Sequence, residues 1–265
     1  MTTADLLAAL WRDYTATTPQ AARIHALLEA RGERIVNDHV ALRTYDEPAI
    51  GLAALGRIFE AHGWRAVDDY RFPDKHLRAR YWRHPDAGLP KIFVSELERA
   101  ALPADAQAAI AALLAQLPAD FGARADLAWA GRPWQVTHAT YRALLEVSEY
   151  AAWVAAFGLR VNHFTVDVGA LTTFADLDAL DDFLLASGFT LNEAGGRIKG
   201  TPADRLEQSS TMADEIEVEF AEGTFRVPSC YYEFARRYPL PSGELFHGFI
   251  PASANRLFES TDVRR

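Results

Sequence analysis

The stretch IVNDHVALRT, residues 35–44, is rich in β-branched and apolar side chains and has a histidine at its centre. A second stretch of the same texture, LRVNHFTVDV, occupies residues 159–168. Composition of this kind over about ten residues favours a β-strand. The histidine follows an asparagine in both stretches, as VNDH in the first and VNH in the second. The two stretches therefore predict a pair of related strands, each with a histidine in its middle.

An amphipathic helix is predicted after each strand. The first, at 48–64, has Pro48 in a position suited to a first helical turn, and the second, at 172–189, has Thr172 or Thr173 as its candidate N-cap. Each helix leads to a glycine, 24 residues after the first histidine and 25 residues after the second. The matched order and spacing indicate a diverged internal repeat.

Three further β-like segments complete each copy of the repeat, which gives each copy the order βαβββ. They lie near 64–72, 78–83 and 91–97 in the first copy, and near 206–211, 214–220 and 227–239 in the second. The sequence therefore predicts an α+β fold. We expect the two copies, approximately 33–98 and 159–239, to form one curved sheet.

Helical patterns fill the rest of the chain. Residues 3–32 have helical spacing in two pieces, broken around 15–19. Residues 101–158 are rich in Ala and Leu and predict a helical insert, with helices at 103–118 and 140–158. We expect a single catalytic domain over 1–265, with a helical N-terminal segment and the insert between the two copies.

The bulk composition is that of an ordinary globular protein, with 49% hydrophobic and 24% charged residues. The net charge is -9 and no run of Lys or Arg forms a basic stripe, so no nucleic-acid partner is expected. No stretch approaches roughly 18 uncharged apolar residues, and the N-terminal segment lacks the pattern of a secretory signal. A cytoplasmic protein without a membrane partner is expected, and its oligomeric state stays open.

The duplication suggests a shared role for the two strand histidines. If both copies form one sheet, His39 and His163 lie close to its pseudo-twofold axis. Two imidazoles and one carboxylate bind a transition metal and leave positions open for substrate and O2. The carboxylate has two candidates: Glu233, among aromatic residues where an unpaired charge would be costly, and Glu96, at the corresponding end of the first copy. The alternative is that each histidine is merely a half-buried strand residue.

Arg43 lies on the same predicted strand as the first histidine. Side chains two and four residues apart on a strand share a face, so His39, Ala41 and Arg43 point the same way. The small alanine leaves room for a carboxylate substrate, which an arginine can bind with two hydrogen bonds. A structural ion pair is the alternative role for Arg43.

Other motifs are weaker candidates. His84-Pro85-Asp86 is an HxD triplet of the type used by jelly-roll iron oxygenases, with His138 as a distal partner, but its proline indicates a turn between strands. The sequence has no HExxH, GxSxG or paired CxxC, which removes the main support for a zinc protease, a hydrolase or a zinc finger. The single Cys230 is more typical of a packing residue than of a nucleophile.

Four motifs together carry a family resemblance. At NDHVALRT, VNHFTVDV, LEQSST and PSCYYEFARRYP the sequence resembles the 2-oxoadipate dioxygenase/decarboxylase family, also called hydroxyglutarate synthase, over roughly residues 4–258. The resemblance implies a vicinal-oxygen-chelate-like fold built from βαβββ repeats. It places the metal ligands on His39, His163 and Glu233, the substrate-carboxylate arginine on Arg43, and pocket residues on Gln208, Ser209 and Ser210.

The reaction that the resemblance implies uses Fe(II) and O2. A 2-oxo dicarboxylic acid, 2-oxoadipate, loses CO2 and the shortened acid is hydroxylated to 2-hydroxyglutarate. The chain resembles a short member of the family, which leaves the exact substrate open. Two alternatives stay open beside this one: a redox-neutral metal-dependent lyase, isomerase or hydrolase on the same scaffold, and a non-enzymatic ligand-binding module.

Overall fold

The computed structural model describes residues 1–261, apart from the side chains at positions 252, 254, 255, 258 and 259. The predicted domain extends to residue 265, and residues 262–265 lie outside the described part. The α-helices of this part are α1 (Thr3–Thr17), α2 (Pro19–Ala30), α3 (Leu52–Ala61), α4 (Ala104–Leu114), α5 (His138–Val147), α6 (Glu149–Phe157), α7 (Leu177–Ala186) and α8 (Pro251–Leu257). The strands are β1 (Asn37–Tyr45), β2 (Arg65–Phe72), β3 (Leu77–Arg83), β4 (Lys91–Leu97), β5 (Val161–Asp167), β6 (Lys199–Thr201), β7 (Leu206–Ser210), β8 (Glu215–Phe220), β9 (Gly223–Pro228) and β10 (Glu233–Arg237).

The main sheet has two halves with the same connectivity. Its strand order is β2-β3-β4-β1-β5-β10-β7-β6. The first strand of each half pairs in parallel with the last strand of the same half, β1 with β4 and β5 with β10. The two first strands pair antiparallel with each other at the centre of the sheet. The predicted α+β fold with a duplicated βαβββ unit is confirmed.

One strand of the second half lies elsewhere than predicted. The segment 214–220 forms β8, which pairs with β9 in a separate hairpin between β7 and β10, and the short β6 takes its place in the sheet. The alternation within β8 explains this difference. Glu215, Glu217 and Glu219 are exposed, whereas central strands such as β5 are buried on both faces.

Two helices begin later than the sequence patterns predict. The helix predicted from Pro48 begins at Leu52, whose amide donates to the Glu96 carboxylate at 2.7 Å. The helix predicted from 172 begins at Leu177, where the Asp176 side chain supplies the N-cap.

The two threonines that were candidate caps have another partner. Thr172 and Thr173 donate their amides and hydroxyls to the Glu33 carboxylate just before β1. These hydrogen bonds join the two halves, and they stabilise the ionised form of Glu33.

The helical segments agree with the predicted N-terminal pair and insert. The helix predicted over 140–158 is divided at Ser148, whose hydroxyl accepts the Ala151 amide and caps α6. α6 is buried along its whole length. Within the described residues, no helix combines the length and hydropathy needed to cross a bilayer.

Helices cover one face of the central strands, and this leaves the other face for the site. Phe164 alternates with His163 along β5 and packs against Trp11 and Tyr14 of α1. The Tyr14 hydroxyl donates to the Tyr231 carbonyl at 2.5 Å, which fixes the approach to β10. The histidine face is covered instead by the segment that follows β10.

Candidate metal centre

Two imidazoles and one carboxylate meet at the centre of the main sheet. His39, His163 and Glu233 lie on the three neighbouring strands β1, β5 and β10. Glu233 Oε1 lies 3.4 Å from His39 Nε2, and Glu233 Oε2 lies 3.3 Å from His163 Nε2. One ligand atom from each residue falls within 4.8 Å of the others. The structure therefore brings together the three residues that the sequence predicts as metal ligands.

The chemistry of these donors fits a single transition metal ion. All three side chains are buried, and among the described residues they form the one such cluster of histidine, cysteine and carboxylate groups. Burial is the main cause that lowers the pKa of His163 well below its usual range, and it keeps the ring neutral. Neutral imidazole is the form that binds a metal. Burial raises the pKa of the Glu233 carboxyl, a shift that a bound cation would oppose.

The residue before each histidine orients its ring. Asp38 Oδ1 lies 2.8 Å from His39 Nδ1, and Asn162 Oδ1 lies 3.0 Å from His163 Nδ1. Because an ionised carboxylate and an amide oxygen only accept, each Nδ1 carries a proton and each Nε2 presents its lone pair. This role was not predicted from the sequence, although VNDH and VNH place a polar acceptor directly before the histidine in both copies.

The Asp38 carboxylate also binds two buried cations. It accepts from Lys91 Nζ at 3.2 Å and from Arg237 Nε and Nη2 at 2.6 and 3.0 Å. Burial alone would raise the pKa of Asp38, but the charges of Arg237 and Lys91 hold it well below its usual range. A fixed anion therefore stands behind His39.

Arg237 connects the Asp38 carboxylate to the segment after β10 that covers the site. Its Nη1 donates to the carbonyls of Phe246 and Gly248, at 3.2 and 2.7 Å. The same segment carries Phe249, whose ring meets the His39 ring edge-on at a centroid distance of 5.0 Å. The Arg237 guanidinium, together with Asp38, thus connects the covering segment 246–249 to the ligand His39.

Arg43 is buried on β1, on the same side of the sheet as the ligands. Its Nη1 donates to Glu149 at 2.7 Å, and its Nη2 lies 3.3 Å from the Thr261 hydroxyl. The guanidinium also lies over the rings of Tyr150 and Trp153. Arg43 therefore makes an ion pair and also lines the cavity next to the ligands.

The QSS segment divides between the two faces of β7. Gln208 Nε2 donates to Glu233 Oε1 at 2.6 Å, and Ser210 Oγ lies 2.9 Å from Ser260 Oγ. The Ser209 hydroxyl donates at 2.6 Å to Asp181 of α7. Of these three residues only Gln208 lines the cavity beside the ligands. Ser209 points to the opposite face of the strand, and Ser210 contacts Ser260 instead of lining the cavity.

The competing candidates have structural partners elsewhere. Glu96 binds the Leu52 amide and the Arg78 guanidinium. His84 accepts the Asp86 amide in the turn between β3 and β4, and His138 stacks on Phe225 at 3.8 Å. Neither histidine belongs to the cluster of metal-binding groups.

The lone cysteine is a packing residue. Cys230 is fully buried, and burial raises the pKa of its thiol to about 11. The thiol is therefore protonated at neutral pH, and the reactive thiolate form is disfavoured.

A small cavity of about 30 Å³ borders the ligands. Phe249 and Leu257, from the segment after β10, close it on one side. Sites that hold small organic ligands usually measure about 300–1,000 Å³. A larger organic ligand therefore needs the residues that line this cavity to move apart.

The family model for 2-oxoadipate dioxygenase/decarboxylase matches residues 3–247. The chain belongs to this family. A relative in Arabidopsis thaliana, named 2-oxoadipate dioxygenase/decarboxylase, chloroplastic, is 31% identical in an alignment that covers 86% of this chain and 69% of the relative. The alignment extends over most of both chains, so this family member corresponds to more than two thirds of the Arabidopsis protein.

Two solved structures have the same fold. Hydroxyglutarate synthase from Oryza sativa, solved in complex with 2-oxoadipate, is 29% identical with a TM-score of 0.91, over 98% of this chain and 91% of that chain. A protein from Shewanella frigidimarina that carries the name hydrolase is 46% identical with a TM-score of 0.89, over 94% of this chain and 97% of that chain. The family member thus resembles a substrate-bound synthase over nearly its whole length.

Proposed function

We propose that this chain converts 2-oxoadipate and O2 into 2-hydroxyglutarate and CO2. The observation that carries this proposal is the buried group of His39, His163 and Glu233 in a member of the 2-oxoadipate dioxygenase/decarboxylase family. In the balanced reaction, C1 of the substrate leaves as CO2. One atom of O2 enters the new carboxylate and the other enters the new hydroxyl group.

We propose Fe(II) as the metal. Two histidines and one carboxylate with open positions are characteristic of non-heme Fe(II) oxygenases. His39 and His163 would bind through Nε2 and Glu233 through its carboxylate. When bound, Fe(II) supplies the sites where the 2-oxo acid and O2 are activated.

The protein's own groups hold these ligands in place. Asp38 and Asn162 fix the two rings with Nε2 directed to the metal. Gln208 donates to Glu233 and so limits the rotation of its carboxylate. These contacts preorganise the site before substrate arrives.

Arg43 is assigned to a substrate carboxylate. It is a buried permanent cation that lines the cavity beside the ligands. A guanidinium binds a carboxylate through charge and two parallel hydrogen bonds. Its ion pair with Glu149 holds the guanidinium in position, and Gln208 lines the same cavity.

The test is substrate-dependent O2 uptake. The Fe(II)-loaded protein is incubated in air with 2-oxo acids of different chain length, while O2 is followed with an electrode and products by mass spectrometry. We expect 2-oxoadipate to give 2-hydroxyglutarate and an equal amount of CO2.

Two variants make the test specific. His163→Ala should abolish uptake, whereas His84→Ala, in the turn between β3 and β4, should leave it intact. Turnover of the same acids under nitrogen, or with zinc in place of iron, would contradict the proposal and favour a redox-neutral reaction.

A further inference from the structure

Tyr231 has a buried hydroxyl group without a hydrogen-bond partner among the described residues. Its side chain is completely buried, two positions before Glu233. Most buried polar atoms in proteins are paired, because an unpaired one loses its hydrogen bonds to water without replacement. An unpaired buried hydroxyl therefore needs an explanation.

The position of the ring supplies one. Tyr231 lines the cavity beside the metal ligands, together with Arg43. Its ring stacks on the His163 ring at a centroid distance of 4.6 Å and an interplanar angle of 26°. The phenol is therefore on the His163 side of the space that a substrate would enter.

A second donor at this cavity also lacks a partner. Asn162 Nδ2 is buried and unpaired among the described residues, and Asn162 lines the same cavity. Its Oδ1 is already engaged by His163. The unpaired donors of Tyr231 and Asn162 could hydrogen-bond to a ligand with several acceptor oxygens. A 2-oxo acid is such a ligand, because its carboxylate and keto oxygens all accept.

We propose that Tyr231 is a substrate-binding residue whose hydroxyl donates a hydrogen bond to an oxygen of the bound 2-oxo acid. This inference rests on the proposed function and adds a neutral donor to the charge that Arg43 provides. The free protein carries the unpaired hydroxyl, and the bound substrate supplies its missing acceptor.

The neighbouring residue provides a matched control. The Tyr232 hydroxyl is also buried and unpaired among the described residues. Its ring packs on the opposite side of the chain, against Trp11 and Phe234, and Tyr232 is not part of the cavity lining. The two tyrosines differ mainly in which side of the sheet they face.

The experiment compares Tyr231→Phe with Tyr232→Phe and the unaltered protein. Binding of 2-oxoadipate to the Fe(II)-loaded protein is measured by calorimetry without O2, and kcat and KM are measured in air. A hydrogen bond to a charged acceptor corresponds to roughly 10- to 100-fold in affinity. We expect Tyr231→Phe to raise Kd and KM by about that factor, with unchanged metal content, and Tyr232→Phe to leave both constants unaltered.

The free proteins supply a second readout. Each substitution removes an unpaired buried hydroxyl, so neither should lower the Tm of the substrate-free protein. In the unaltered protein, the tyrosine C–O stretching band in infrared difference spectra should shift on substrate binding, and the shift should be absent from Tyr231→Phe. Tyr232→Phe should keep the shift, which then belongs to Tyr231 and not to its neighbour.

Equal Kd and KM for Tyr231→Phe and the unaltered protein would overturn the inference. So would loss of metal from Tyr231→Phe, because the ring would then act only by packing on His163. If the unaltered protein neither binds nor turns over any 2-oxo acid, the proposed function fails. If it does both and Tyr231→Phe matches it, only the role of Tyr231 fails.

Discussion

Asp38 and His39 are adjacent in the chain, and the Asp38 carboxylate lies 2.8 Å from the ring nitrogen of His39 that faces away from the metal centre. The same carboxylate forms ion pairs with Arg237 and Lys91. One buried anion thus orients a metal ligand, joins β1 to β4 and β10, and pairs with two cations.

Asp38→Asn should destabilise the protein strongly. The substitution leaves Arg237 and Lys91 buried without their anion, and breaking a buried pair typically costs about 3–5 kcal/mol. Urea unfolding measures the loss, and Fe(II) affinity should also fall by roughly 10- to 100-fold. Asp69→Asn is the control, since its pair with Arg80 is exposed and should change the free energy of unfolding by less than about 1 kcal/mol. Similar losses for both variants would contradict this assignment.

Glu233→Gln and Glu96→Gln should differ in how much metal the purified protein holds. Glu233 lies between both histidines, whereas Glu96 binds Arg78 and the Leu52 amide. We expect Glu233→Gln to lose stoichiometric metal and Glu96→Gln to retain it with a lower Tm. Metal analysis after dialysis measures the difference. Retention of metal by Glu233→Gln and its loss by Glu96→Gln would reverse the choice of carboxylate.

Arg43→Gln and Glu149→Gln separate the two roles of Arg43. Each single substitution leaves a buried or nearly buried charge without its partner, which should cost about 3 kcal/mol. The double variant removes both charges and should recover much of that free energy of unfolding. If Arg43 binds a substrate carboxylate, the double variant should still have weak affinity for 2-oxoadipate. Recovery of affinity together with stability would make Arg43 a structural residue only.

Asp181→Asn should change how stability depends on pH. Burial raises the pKa of Asp181 to about 6, although Ser209 donates to it and Arg197 lies 3.3 Å away. When a carboxyl group has a higher pKa in the folded protein than in the unfolded chain, the folded protein is stabilised at low pH. That stability is lost as the pH rises from the unfolded-state pKa to the folded-state pKa. The natural protein should therefore lose about 1–2 kcal/mol between pH 4 and 6, and Asp181→Asn should lack this loss. Urea unfolding at several pH values measures it, and parallel profiles would refute the assignment.

The sequence predicted those parts of the fold that depend on local pattern and repetition. The strand composition around His39 and His163, and their matched distances to a glycine, were sufficient to predict the duplicated sheet. The two histidine ligands followed from that symmetry, since the two first strands pair at the centre. The choice of Glu233 over Glu96 rested chiefly on the family resemblance. The role of these three residues in binding a metal stays a prediction for the experiments above.

Contacts between residues far apart in the sequence could not be predicted from local patterns. Asp38 contacts Arg237, which is 199 positions away in the sequence, and Arg43 contacts Glu149 of the helical insert, which is 106 positions away. No periodicity encodes such pairs, because they depend on how the elements pack. Ser209 was misplaced for a different reason: the motif was read as a unit, although strand alternation directs its central residue to the opposite face.

In the proposed reaction both atoms of O2 enter the product. Fe(II)-loaded protein is incubated with 2-oxoadipate under isotopically heavy O2, and the 2-hydroxyglutarate formed is analysed by mass spectrometry. We expect a product with two heavy oxygen atoms, one in a carboxylate and one in the hydroxyl group, and CO2 without label. A product that carries no heavy oxygen, or one that forms equally well under nitrogen, would show that the proposed reaction is wrong.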